Sequence, residues 1–133
     1  MPSFLSGLRH RSADTRFELV AEASNRVLVP EVELALESAA RNKGLLGREG
    51  LPSGRALVIA PTNAVHTFFM RFAIDIVFVS REGRILKVRR AVPAWRIAAA
   101  WGGYAVVELA AGGATLTGIN VGDKVAVREC EGR

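Results

Sequence analysis

Residues 66–79, His-Thr-Phe-Phe-Met-Arg-Phe-Ala-Ile-Asp-Ile-Val-Phe-Val, limit the possible folds more than any other stretch. Read with period 2, the even positions carry His66, Phe68, Met70, Phe72, Ile74, Ile76 and Phe78. The odd positions carry Thr67, Phe69, Arg71, Ala73, Asp75, Val77 and Val79. Successive side chains of a strand point to opposite faces, so one face is almost wholly apolar and the other mixed. The pattern predicts a central strand, or two strands broken near 71–73, with Phe68, Met70, Ile74 and Ile76 in the core.

The flanking sequence supplies further short elements. Residues 17–22 and 26–33 are strand-like, and Ser24-Asn25 between them suits a hairpin because Asn tolerates the left-handed region. Residues 36–43 are the best helix. Ala39 and Ala40 favour it, Arg41 and Lys43 suit the negative end of its dipole, and Gly44 can close it. So short a helix must be held by packing, through Leu36, Ala40 and Leu45-Leu46. A turn at 50–54 leads into a strand at 56–60 that Pro61 stops. Arg81-Glu82-Gly83 closes a hairpin into 84–92, and Pro93-Ala94-Trp95 ends that strand. Residues 98–103 read as a small-residue loop, 104–109 as a strand, 114–119 as a single helical turn and 123–129 as a last strand. The fold class is α+β, mainly antiparallel β: a curled sandwich or half-barrel with one short helix packed on it. The expected organisation is a loosely ordered lead-in over residues 1–15 and a single β-rich domain over 16–133, a size at which a chain half hydrophobic builds a core without staples.

Several functions are disfavoured. No apolar run approaches the ~18 residues of a membrane span. The N-terminal residues carry Arg9, His10 and Arg11 with no apolar block behind them, which argues against a secretory signal and for the cytoplasm. One cysteine, Cys130, allows no internal disulfide. The net charge of +5 favours weak attraction to anions, but Arg84, Lys87, Arg89 and Arg90 fall on both faces of their strand, so nucleic acid is not the expected partner. The two histidines, His10 and His66, have no metal-ligand spacing to each other or to Cys130, so neither metal nor cofactor is expected. Nucleophile and phosphate-binding motifs are missing.

The polar residues with chemical potential are few. His66 can serve as a general base, or as a strand-end histidine bonded to nearby backbone. Asp75, between Ile74 and Ile76, can orient a catalytic group, bridge to Arg71 or Arg48, or cap the backbone N–H groups of a loop. Glu108 faces away from Val107 and Leu109 and reads as solvated. Arg48 and Arg96 suit bidentate carboxylate binding. Trp95 and Trp101 flank the small-residue loop and can wall a pocket or cover the core edge.

Four blocks then follow one another in order: Gly44-Leu45-Leu46-Gly47-Arg48, the run 66–75, the run 106–112 and Gly122-Asp123. Together they resemble the uncharacterised bacterial and archaeal family known as domain of unknown function 192, over about residues 17–129. The resemblance implies a compact, mostly β domain with a short helix and no established activity. The chain departs from the family twice. Ala73 stands where relatives that share the His-Thr-Phe-Phe-Met form usually carry Pro, and Thr62 where many carry Cys, so a cysteine nucleophile paired with His66 cannot operate here.

The reading these observations favour is a non-catalytic binding module for a small polar or anionic ligand or a peptide end. Arg48, His66, Arg71, Asp75 and Trp95 would form the pocket, and Arg48, His66 and Asp75 are expected to come close together in space. The rival readings are a hydrolase in which Asp75 orients His66 as base, and a protein-interaction domain that uses exposed edge strands.

Overall fold

The computed structural model describes residues 4–6, 8 and 15–130. Among them the elements run β1 (Arg16–Ala21), β2 (Val27–Val29), β3 (Glu31–Ala35), α1 (Ser38–Lys43), β4 (Arg55–Ile59), β5 (Ala64–His66), β6 (Ile74–Val79), β7 (Ile85–Val92), β8 (Ile97–Ala99), β9 (Ala105–Ala110), α2 (Gly113–Thr117) and β10 (Val125–Cys130). They form three sheets, ordered β10-β1-β2, β3-β4-β9-β6-β7 and β5-β8. The pair β3–β4 is parallel, and the other pairs are antiparallel. The class is α+β as expected, a sandwich that does not close into a barrel.

The five-stranded sheet is the middle layer. All six residues of β6 are buried, and so are the first five of β9. Strands apolar at both parities belong to a sheet covered on both faces. On one face Val58, Val77, Val79, Val107 and Leu109 pack with Leu19, Leu28, Val125 and Val127 of the three-stranded sheet. On the other, Leu57, Ile59, Ile74, Ile76, Phe78 and Val106 pack with Ala98 of the β5–β8 ribbon, with Met70 and with Leu45 just beyond α1.

The 66–79 stretch is broken more widely than its alternation suggests. β5 ends at His66 and β6 begins at Ile74. Residues 67–73 turn between them, with Phe69 at φ 65°. Met70, Ile74, Ile76 and Phe78 are buried as their parity predicts, but Phe68 is only half-buried. Val77 and Val79, on the supposedly mixed face, are as buried as their neighbours because that face too has a covering sheet.

Other departures have local causes. The run 26–33 is cut at Pro30, which cannot donate to a ladder; β2 ends before it and β3 starts after it in a different sheet. The small-residue loop begins as strand β8, paired with β5 so that Val65 lies opposite Ala98. Helix α1 ends as expected at Gly44, φ 47°, with Arg41 and Lys43 in its last turn, but none of its residues is buried. Six residues are under two turns and present no apolar stripe, so Leu45, 2% exposed, anchors the segment instead of Ala40. The β1–β2 hairpin turns at Asn25, φ 58°, as its sequence predicts. Most of the expected lead-in lies outside the described residues. Within it Phe4 is fully buried, and its backbone bonds Arg81 O at 2.8 Å and Val127 N at 3.1 Å.

Candidate functional site

The strand register builds the site around a carboxylate. Along β9, Val106 and Glu108 point to the ribbon side of the middle sheet, and Val107 and Leu109 to the other. Pairing sets Leu57 on one side of Glu108 and Ile76 on the other, with Glu33 beyond Leu57 in the same row. Glu108 is 4% exposed. Loss of water around its charge pushes its pKa up from 4.5 to about 7, and the nearby Arg48 guanidinium works in the opposite direction. No hydrogen bond from a described residue reaches this carboxylate, yet it is not sealed off. It opens into a cavity of about 360 Å³. Leu45, Ile59 and Met70 are buried in the cavity lining, and Lys43, Ala64 and His66 are exposed in it; Arg41, Leu46, Thr62 and Val65 lie between these extremes.

His66 is thus part of this cavity. Its Nδ1 accepts the Phe68 N–H at 3.2 Å, which in the neutral ring leaves the hydrogen on Nε2. Arg48 stands beside the cavity. Its guanidinium meets both Glu33 carboxylate oxygens, at 2.7 and 3.4 Å. Glu33 and Glu108 are two strands apart, about 10 Å, which explains how one guanidinium serves the first and is felt by the second.

The remaining expected residues go elsewhere. Arg71 pairs with Glu49 at 3.7 Å, both well solvated. Trp95 is 57% exposed and packs edge-on against Phe69, with ring centroids 4.6 Å apart. Asp75 shares parity with Val77 and Val79, so its side chain lies on the sheet face opposite the cavity. Its Oδ1 accepts the Ala91 N–H and its Oδ2 the Ala114 N–H, each at 2.8 Å. Ala91, φ 49°, sits where the β6–β7 register slips, and Ala114 lies in the first turn of α2. Asp75 therefore has the backbone-capping role, one of the structural uses its sequence context allowed. Among the described residues no hydrogen bond or ion pair joins it to Arg48, Arg71 or His66, so the expected gathering of Arg48, His66 and Asp75 is not formed. A base and its orienting carboxylate need one cleft, and His66 and Asp75 do not share one. Among the described residues no group of three His, Cys, Asp or Glu could hold a metal ion.

The residue whose surroundings sequence reading misjudged is Glu108, expected to be solvated and found 4% exposed. Its surroundings, Ala-Val-Val-Glu-Leu-Ala, are apolar at both parities, the mark of a strand buried on both faces. A charge in such a run has no solvent face to occupy.

A three-sheet α+β sandwich with a carboxylate-floored cavity defines the class of protein. Within that class the chain belongs to DUF192, described as "Uncharacterized ACR", whose model matches residues 19–127. The chain is similar to a protein of unknown function from Novosphingobium aromaticivorans DSM 12444, whose crystal structure at 1.22 Å is 26% identical, with a TM-score of 0.70 over 83% of this chain and 82% of that one. It is also similar in fold to a candidate transcription regulator from Sinorhizobium meliloti 1021, solved at 1.55 Å, at 21% identity and a TM-score of 0.73 over 90% of this chain and 97% of that one. No curated protein matches the chain significantly.

Proposed function

We propose that this chain is a non-catalytic binding module. Its ligand is a small molecule or peptide end carrying an amino group, an anionic group and a short apolar body. The observation that carries this reading is Glu108, a buried carboxylate that accepts no described hydrogen bond and opens into a cavity. A buried carboxylate without a donor is costly, and a ligand ammonium removes that cost by giving both a hydrogen bond and a charge. Arg41 and Lys43, on the same lining, suit the anionic group. Arg41 is already held, its Nη1 donating to Leu36 O at 2.6 Å. Leu45, Leu46 and Met70 suit the apolar body. A volume of about 360 Å³ sits at the small end of ligand pockets. Of the residues expected from sequence, His66 and Arg48 belong to this proposal, and Arg71, Asp75 and Trp95 do not.

The test is calorimetric titration with free L-methionine and L-leucine, against isoamylamine and isovalerate as half-ligands. The amino acids are expected to bind, each half-ligand at least about tenfold more weakly, a loss near 1.4 kcal/mol. Glu108→Gln should weaken amino-acid binding by a similar factor. Affinity should fall as pH drops through about 7, where Glu108 takes up its proton. Absence of heat with all four compounds, or unchanged binding in Glu108→Gln, overturns the ligand class.

A further inference from the structure

The ribbon and the turns beside it carry a second surface that the cavity does not use. Four large apolar side chains protrude there: Phe69 (71% exposed), Trp95 (57%), Ile97 (67%) and Trp101 (99%). They include both tryptophans of the chain. Two of the four are held in an unfavourable backbone conformation, Phe69 at φ 65° and Trp95 at φ 68°. Left-handed non-glycine residues persist only where their surroundings fix them. Here Thr67, 1% exposed, does so. Its hydroxyl donates to Pro93 O at 2.6 Å and accepts the Arg96 N–H at 2.9 Å, while its carbonyl accepts the N–H groups of Met70 and Trp95 at 3.2 and 3.1 Å. The turn 67–70 and the loop 93–96 are thereby locked together with Phe69 and Trp95 outward.

The charge along the chain around Trp95, Ile97 and Trp101 has one sign, and beside Phe69 the exposed Arg71 is offset by its partner Glu49. From Gly83 through Val107 there are five cationic residues and no acidic one. Lys87 and Arg89 lie opposite Phe78 and Ile76, so they share the sheet face that the ribbon covers. Lys87 Nζ reaches the ribbon itself, donating to Ala99 O at 2.8 Å. Arg96 lies between Trp95 and Ile97 and is exposed.

We propose that this surface docks on a lipid bilayer rich in anionic headgroups. Phe69, Trp95 and Ile97 enter the interfacial layer, and Arg89 and Arg96 meet headgroup phosphates. Aromatic rings favour the boundary between headgroup and acyl chain, and basic residues near a negatively charged leaflet add electrostatic attraction. A single-stranded nucleic acid fits less well. It needs a run of open ring faces for stacking; Trp101 offers one, but Trp95 is flanked by Phe68 and met edge-on by Phe69, and Ile97 offers no ring. A second copy of the chain fits less well too, because two such surfaces repel.

The experiment mixes the full chain with vesicles of pure phosphatidylcholine, or of phosphatidylcholine with equimolar phosphatidylglycerol. It follows co-sedimentation and tryptophan emission. Binding to the anionic vesicles is expected to be at least about tenfold stronger, to weaken in high salt, and to shift the emission to the blue. Phe69→Ser with Ile97→Ser, both at exposed positions, should lower partitioning at least about tenfold while far-UV circular dichroism stays the same. Equal partitioning to both vesicle types, or no loss in the double variant, overturns the proposal. So does binding of a single-stranded oligonucleotide, or a concentration-dependent dimer, that the same double variant abolishes while vesicles stay unbound.

Discussion

Asp75 and Glu108 are two carboxylates at neighbouring levels of one sheet, 0% and 4% exposed, and their fates diverge because alternate residues face opposite layers. Asp75 meets two backbone N–H groups; Glu108 meets a cavity. Asp75→Asn keeps one acceptor but turns an amide N–H toward a backbone donor, and a loss of about 2–3 kcal/mol is expected in denaturant unfolding. A loss under about 0.5 kcal/mol would remove the brace. Glu108 gives a different signature. Its folded pKa, about 7, lies above the ordinary 4.5, so the folded state holds a proton that the unfolded state releases. That contribution is fully present below about pH 4.5 and is lost as pH rises through about 7, which costs about 3 kcal/mol in all. Glu108→Gln, which cannot ionise, should therefore gain stability over wild type by about that amount at pH 8 and by almost nothing at pH 4. Melting curves across pH check this, and a pH-independent difference would contradict it. The isolation of Asp75 was legible in Ile-Asp-Ile. Its partners were not, since they are backbone groups of two alanines 16 and 39 positions away, and a backbone donor leaves no mark in composition.

Elements whose limits are set by local chemistry were legible: the Asn25 hairpin, the Gly44 helix end, and the turn at Arg81-Glu82-Gly83. Each rests on a residue able to take positive φ at little cost. Elements that exist only through tertiary pairing were not legible. Strand β8 is three residues long with two alanines, and only its partner β5 makes it a strand. The Gly83 turn also does more than reverse the chain. Its φ is 97°, its carbonyl accepts the Val125 N–H at 2.8 Å, and a Cβ there would collide with the Val125 carbonyl. The β6–β7 turn and the start of β10 are thus pressed together at one point, which ties the middle sheet to the three-stranded one. Gly83→Ala combines strain with a backbone clash. It should cost at least about 2 kcal/mol, whereas Gly122→Ala, at the same φ with open space, should cost about 1. Equal losses in the two variants would show that the close approach to β10 is not what requires Gly83.

The largest misreading, a single buried face for the 66–79 stretch, came from treating the molecule as two layers when its middle sheet has a core on each side. The same assumption made Glu108 look solvated. A shared middle sheet has a thermodynamic consequence. Phe78 faces the ribbon side and Val77 the three-stranded side, both essentially unexposed on adjacent residues of β6. Neither core can be lost without uncovering one face of strands that the other core needs. The described domain should therefore unfold as one cooperative unit, although its layers are built from separate sheets. Phe78→Ala should lower stability by about 3–5 kcal/mol and Val77→Ala by about 1–3, both by moving the same transition. Phe68→Ala, at a half-buried position, should cost less than Phe78→Ala. Two probes distinguish this from layer-by-layer melting. Far-UV circular dichroism follows all the sheets, while the change in tryptophan emission follows Trp95, packed on Phe68 and Phe69 beside the ribbon, because Trp101 is already 99% exposed in the fold. The two denaturant curves should coincide in wild type and in both strand variants. Emission that changes at lower denaturant than ellipticity would mean that the ribbon and its core melt first, leaving the other sandwich half folded.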